Sequence, residues 1–226
     1  MCLKFSRGYA FIVEGETEQV FYSYLLQYIG RKHQIDLQKS FDPNLYEPYF
    51  WFTTEKETVI IKINKVGTIT QIPNSYSWFI SQCSEPYGHN CKWDVFLCYD
   101  TDNYKPDISK FYKGNWELLR SSLKGANANK IFDLAASADI EDVLLQDLEG
   151  ICKFLGIKKP DTLLGNTGKK KMISLHKKSG KTYHEGTKAR ELIKSLDMEK
   201  IINGNLIELH LIEEAVYLSN TKTLGK

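Results

Sequence analysis

The chain has 226 residues, 42% of them apolar and 26% charged, which supplies one packed core and excludes wholesale disorder, collagen-like repeats and coiled coil. The formal net charge of +2 conceals an uneven distribution: residues 1–150 hold 15 Lys and Arg against 20 Asp and Glu, residues 151–194 hold 12 against 3, and residues 195–226 hold 3 against 5. No apolar run reaches the roughly 20 residues that cross a bilayer, and the first ten residues lack a secretory apolar stretch, so a cytoplasmic protein without a membrane partner is expected.

In chain order, Tyr9-Ala-Phe-Ile-Val13 reads as a buried strand, followed by the turn Glu14-Gly15-Glu16. Residues 17–28 place Val20, Phe21, Tyr24, Leu25 and Tyr28 on one helical face, with Thr17 as the candidate cap. Residues 31–57 are polar and aromatic without a clear period. A second strand is expected at 58–63, and a helix over about 68–82 is blurred by Pro73. Asp94-Val-Phe-Leu-Cys-Tyr99 is the clearest strand and runs into Asp100-Thr-Asp102-Asn103. A helix at 108–123, a strand at 130–135 and a helix from Ile140 to about Leu155, capped from Ser137-Ala-Asp139, follow. Residues 157–187, rich in Lys, Gly, Ser and Thr, read as a basic surface loop, and helices are expected at 188–196 and 206–218. Strands alternating with helices imply an α/β fold with a mostly parallel sheet flanked by helices. The expected organisation is a catalytic domain over residues 1–156 and a basic loop with a helical extension over 157–226.

The five cysteines are odd in number and show no C-x-x-C spacing, which reads as reduced thiols. Cys83, His89 and Cys91 are near in sequence but too few for a structural zinc site.

Ligands of open α/β sheets collect beyond the C-terminal ends of the strands. Acidic residues stand at three such ends here: Glu14 after the first strand, Asp100 and Asp102 after the third, and Glu141 with Asp142 after the fourth. Gathered carboxylates repel one another, and a hard divalent cation such as Mg2+ or Mn2+ relieves that repulsion. Such a cation activates water and polarises phosphodiesters. The plainer reading of each acid is a turn former or a helix N-terminal residue.

The segment Phe11-Ile-Val-Glu14-Gly15-Glu16-Thr17-Glu18, with Val95-Phe-Leu-Cys-Tyr-Asp100-Thr-Asp102 further along, resembles the TOPRIM domain of topoisomerases, primases, recombination proteins and OLD-type nucleases. The Glu-Gly-x-Thr-Glu form is similar to the OLD and RloB-like branches, known from bacterial defence against phage. The resemblance spans roughly residues 8–150. It implies a TOPRIM-like, Rossmann-like fold and a magnesium-dependent endonuclease acting on DNA, or on RNA such as tRNA, as the toxic effector of an anti-phage system. It also implies that Glu14, Asp100 and Asp102 are catalytic and bind the metal, that Glu18 and Glu141 complete the metal site, and that a lysine acts near the reaction centre, with Lys188 the candidate. Lys169, Lys170, Lys171 and Lys181 compete for that role and are the candidates for contacts with nucleic-acid phosphates. OLD proteins carry an ATPase domain, and this chain has no Gly-x-x-x-x-Gly-Lys-Ser/Thr, so the ATPase is expected as a separate partner; a homodimer fits the family. Two other functions stay open: a catalytically silent TOPRIM-like sensor or binding subunit, and a phosphohydrolase of haloacid-dehalogenase type with Asp100 as nucleophile and Asp102 as acid/base.

Overall fold

The apolar run at residues 9–13 lies within β1 (Arg7–Val13), the strand around which the rest of the molecule is layered. The computed structural model describes residues 4–101, 113–137 and 139–217. β1 lies between β4 (Thr58–Lys65) and β5 (Lys92–Asp100), parallel to both, and β6 (Ala128–Ala136) adds a further parallel strand beside β5. β2 (Gln38–Asp42) and β3 (Glu47–Thr53) form an antiparallel hairpin that extends the sheet from β4. The six-stranded order is β2-β3-β4-β1-β5-β6. The protein is therefore an α/β fold with a mostly parallel sheet flanked by helices.

Side-chain alternation along β1 divides the core into two layers. Tyr9, Phe11 and Val13 face α1 (Glu16–Lys32) and the C-terminal helices, whereas Ala10 and Ile12 face the helical segment 69–87 and α2 (Lys113–Gly125). Phe11, Phe96 and Phe132 stack across β1, β5 and β6, with ring centroids 4.5 and 4.8 Å apart. These aromatics bind the parallel strands together on the α1 side.

Several segments differ from the sequence expectation. The stretch 31–57, which showed no period, contains the β2–β3 hairpin; its exposed outer strand leaves only weak alternation. The helix expected from Ile140 to Leu155 is two helices, α3 (Ile140–Leu144) and α4 (Leu148–Leu155). The break falls at Asp147, whose carboxylate accepts the Gly150 N–H at 3.2 Å and so caps a new helix. The basic stretch 157–187 is not all loop: α5 (Gly168–Lys178) buries Met172 and Leu175 in the same core as β1 and α1, as does Tyr183. The expected boundary at 156/157 falls at Gly156, but side chains on both sides of it share that core. The terminal helix expected at 206–218 shrinks to short helical turns at His210–Ile212 and Glu213–Tyr217. Cys83, Cys91, Cys98 and Cys152 are free and buried; His89 is exposed, so the Cys83–His89–Cys91 trio does not converge. No helix among the described residues is long and apolar enough to cross a membrane.

Candidate metal centre

The end of β1 positions the first acid. Past Val13 the chain is still held to the extension of β4, because the Gly67 N–H donates to the Glu14 carbonyl at 2.7 Å. Glu14 therefore stays at the C-terminal edge of the sheet. Gly15 then caps α1 with extended backbone, and α1 starts at Glu16, so Glu18 lies in its first turn. Asp100 is the last residue of β5, and the parallel register sets Val13 opposite Cys98. Adjacent strand ends and the helix between them bring Glu14, Glu18 and Asp100 together. Each offers a carboxylate oxygen, and the three oxygens lie within 4.8 Å of one another.

The helix expected to be capped by Thr17 is capped by Gly15 instead. The Thr17 hydroxyl accepts the Gly186 N–H at 2.9 Å. Gly186 has φ of +68°, and a Cβ there would also collide with the Glu16 carboxylate. This contact fixes the 3-10 turn Gly186–Ala189 against α1 and closes one wall of the site.

Burial and mutual repulsion set the electrostatics. Glu18 is 7% exposed; burial first, then the Glu14 and Glu141 carboxylates, push its pKa up to about 7, against the pull of backbone N–H groups. Asp100 is pushed well above the usual carboxylate range by burial and by Glu18 and Glu14, although the Ile140 N–H donates to it at 3.2 Å. Glu141 is also raised to about 7, chiefly by burial, with the Tyr183 hydroxyl donating to it at 2.8 Å in opposition.

These groups line a cleft of about 590 Å³. Among the described residues its walls carry seven carboxylates (Glu14, Glu16, Glu18, Asp100, Asp139, Glu141 and Glu185) and one ammonium group, Lys169, which is paired with Glu185 at 2.6 Å. An all-oxygen donor set of buried and half-buried carboxylates is of the kind that holds a hard divalent cation. Glu14, Glu18 and Asp100 can hold such an ion.

The other sequence candidates are distributed as follows. Glu141 lines the cleft but stands outside the close group of three. Asp102 lies outside the described residues. Lys188 is exposed on the Gly186–Ala189 turn and does not line the cleft, whereas Lys169 does. Lys171 is turned to a structural pair with buried Asp142 at 2.7 Å, Lys181 lies over the Phe154 ring, and Lys170 is exposed. Asp139 and Asp142 also accept the Lys169 and Gly168 N–H groups, which ties the start of α5 to the start of α3. Gly168 is required at that junction, where a Cβ would collide with Asp139 and Asp142. Sequence reasoning missed Tyr183 as the partner of Glu141. The available signal was its place as the sole Phe, Tyr or Trp in the 157–187 stretch.

No family model and no curated protein matches the chain. Among solved structures, it shows a distant likeness to the 5'-methylthioadenosine/S-adenosylhomocysteine nucleosidase of Campylobacter jejuni. That likeness has 12% identity and a TM-score of 0.26 and covers 85% of this chain and all of that one; at this score it carries no weight for fold or chemistry.

Proposed function

We propose that this protein is a divalent-metal-dependent nuclease that hydrolyses phosphodiester bonds in DNA or RNA, as the TOPRIM-like sequence segments imply. The observation that carries the reading is the convergence of Glu14, Glu18 and Asp100 at the C-terminal ends of two neighbouring parallel strands. Glu14, Glu18 and Asp100 would hold a cation there, which would supply a Lewis acid and a lowered pKa for water. Glu141 is oriented by the Tyr183 hydroxyl at 2.8 Å in the same cleft, where it can carry a proton to and from the reacting oxygen. Lys169 is the lysine nearest this chemistry, and it must leave Glu185 to meet the phosphate. It takes the basic role that the sequence reading gave to Lys188.

The same reading makes the chain a toxic effector in defence against phage, working with a separate ATPase. The test is incubation with plasmid, single-stranded DNA and total tRNA in Mg2+, Mn2+ or EDTA. Cleavage is expected with either metal, none is expected in EDTA, and Glu14→Gln is expected to lower the rate by about 10³-fold or more. Full activity of Glu14→Gln would remove the carboxylates from the reaction.

A further inference from the structure

A second cleft, of about 240 Å³, opens beside the acidic one. The two share a wall. Glu18 and Gly186 line the acidic cleft, and their chain neighbours Gln19 and Thr187 line the second. The Thr17–Gly186 hydrogen bond runs through that wall and holds it in place.

The chemistry of the second cleft is opposite. Among the described residues its lining contains two cations, Lys39 from β2 and Arg190, and no carboxylate. Both side chains are exposed, and among the described residues neither belongs to an ion pair. Between them lie Tyr24, Pro48 and Phe50, with Lys39 5.9 Å from the Phe50 ring. A cleft smaller than the pockets that enclose a drug-sized ligand holds one unit of a longer ligand. A floor of rings and apolar groups, edged by the amides and hydroxyls of Gln19, Ser23, Gln27 and Thr187 and flanked by two cations, matches a nucleotide, whose base stacks on rings and hydrogen-bonds to polar groups and whose phosphate meets guanidinium and ammonium groups.

We infer that this cleft is a subsite for one nucleotide of a single-stranded nucleic acid, with Lys39 and Arg190 holding its phosphate and Tyr24, Pro48 and Phe50 receiving its base and sugar, so that the next phosphate of the strand lies over the carboxylate cleft. This inference rests on the nuclease reading and names the part of the substrate that anchors it. A duplex keeps its bases stacked inside and cannot offer one to this floor. The division of labour is physical: the acidic cleft repels a polyanion, and the neighbouring cations supply the attraction that brings the strand there.

The test is fluorescence anisotropy of labelled DNA and RNA oligonucleotides of one sequence, single-stranded and duplex, in Ca2+ over a range of salt, with full-length protein. Wild type is expected to bind single strands more tightly than duplex. The Lys39→Ala/Arg190→Ala double variant is expected to lose roughly tenfold or more in affinity and to flatten the salt dependence by about two charges. Tyr24→Ala is expected to weaken single-strand binding without changing the salt slope. Both cations are exposed, so the double variant folds, which its thermal melt verifies. The DNA and RNA arms identify which strand is preferred. Wild-type affinity and slope in the double variant overturn the subsite and leave the nuclease reading standing. Strand binding by wild type that is lost in the double variant, with no cleavage under any metal, supports the subsite and overturns the nuclease reading.

Discussion

The β1–β5 pair carries buried acids at both ends, and the two ends handle them differently. Near the N-terminal end, Asp94 is 1% exposed and satisfied from three sides: Arg7 donates at 3.0 Å, the Asn129 amide at 2.8 Å and the Lys130 N–H at 3.0 Å. On β4, fully buried Lys62 meets Glu47 at 3.0 Å, and the Trp78 indole N–H donates to the same carboxylate at 2.7 Å. At the C-terminal end, Glu14, Glu18 and Asp100 crowd together, and Lys169, the one lysine on the cleft wall among the described residues, is engaged by Glu185. Burial of a charge is tolerated when it is paired and hydrogen-bonded. The first arrangement therefore maintains the fold, and the second gathers carboxylates in a way that a bound cation would relieve.

Substitutions that remove charge at either end sharpen this contrast most. Asp94→Ala is expected to cost about 3 kcal/mol, because it strands the Arg7 guanidinium and leaves the Asn129 and Lys130 donors without their acceptor. Asp100→Asn is expected to cost nothing in EDTA and to stabilise by up to about 1 kcal/mol, since it removes a carboxylate that its neighbours disfavour and keeps an oxygen for the Ile140 N–H. Urea denaturation with unchanged m-values reads both. A loss in Asp100→Asn comparable with that in Asp94→Ala would make the two ends equivalent. Calorimetry should also show weaker Mn2+ binding by Asp100→Asn.

A smaller effect is expected from pH. The folded-state pKa values of Glu18 and Glu141, about 7 each, lie above the unfolded value near 4.5, so the fold favours their protonated forms. Their contribution to stability is complete below pH 4.5 and is lost as pH rises through 7. Carboxylates held low by lysines, such as Glu149 beside Lys200, act in the opposite sense only below that window. The melting temperature in EDTA should therefore fall between pH 5 and pH 7.5. Added Mg2+ should restore it at pH 7.5 and do little at pH 5, where protons occupy the ligands. Glu18→Gln should flatten the EDTA profile; an unchanged profile would remove Glu18 from the repelling cluster.

Much of this architecture was legible in the sequence because the relevant signals are local. The four parallel strands declare themselves as apolar runs, and the acids follow them directly at Glu14 and Asp100. Their convergence follows from the rule that strand ends of a parallel sheet share one edge. The β2–β3 hairpin was hidden because its outer strand faces solvent, although the aromatic run Tyr49-Phe-Trp-Phe52 is strand-like chemistry. The tie between α3 and α5 was hidden for another reason. It depends on backbone N–H groups accepted by Asp139 and Asp142 from residues remote in sequence, and backbone donors leave no mark on composition. Lysine count gave the charge of residues 157–187 correctly and could not say which ammonium groups are spent within the fold.

Neighbouring lysines in that stretch give the finest division between structural and available charge. Lys171 is mostly buried against Asp142, itself 5% exposed, at the junction of α3 and α5. Lys170, one residue earlier, is exposed, with its backbone N–H capped by Thr167. Lys171→Ala is expected to lower stability by about 1 kcal/mol, reduced from the fully buried case by the partial exposure of the pair. Lys170→Ala is expected to stay within about 0.5 kcal/mol of wild type. The order should invert for nucleic-acid binding: Lys170→Ala flattens the salt dependence by up to about one charge, and Lys171→Ala flattens it less, because the Lys171 ammonium group is held on Asp142 and is not offered to a phosphate. Equal salt slopes for the two variants would mean that Lys170 is only a solvated surface charge, and that the attraction for a polyanion lies wholly in the cleft of Lys39 and Arg190.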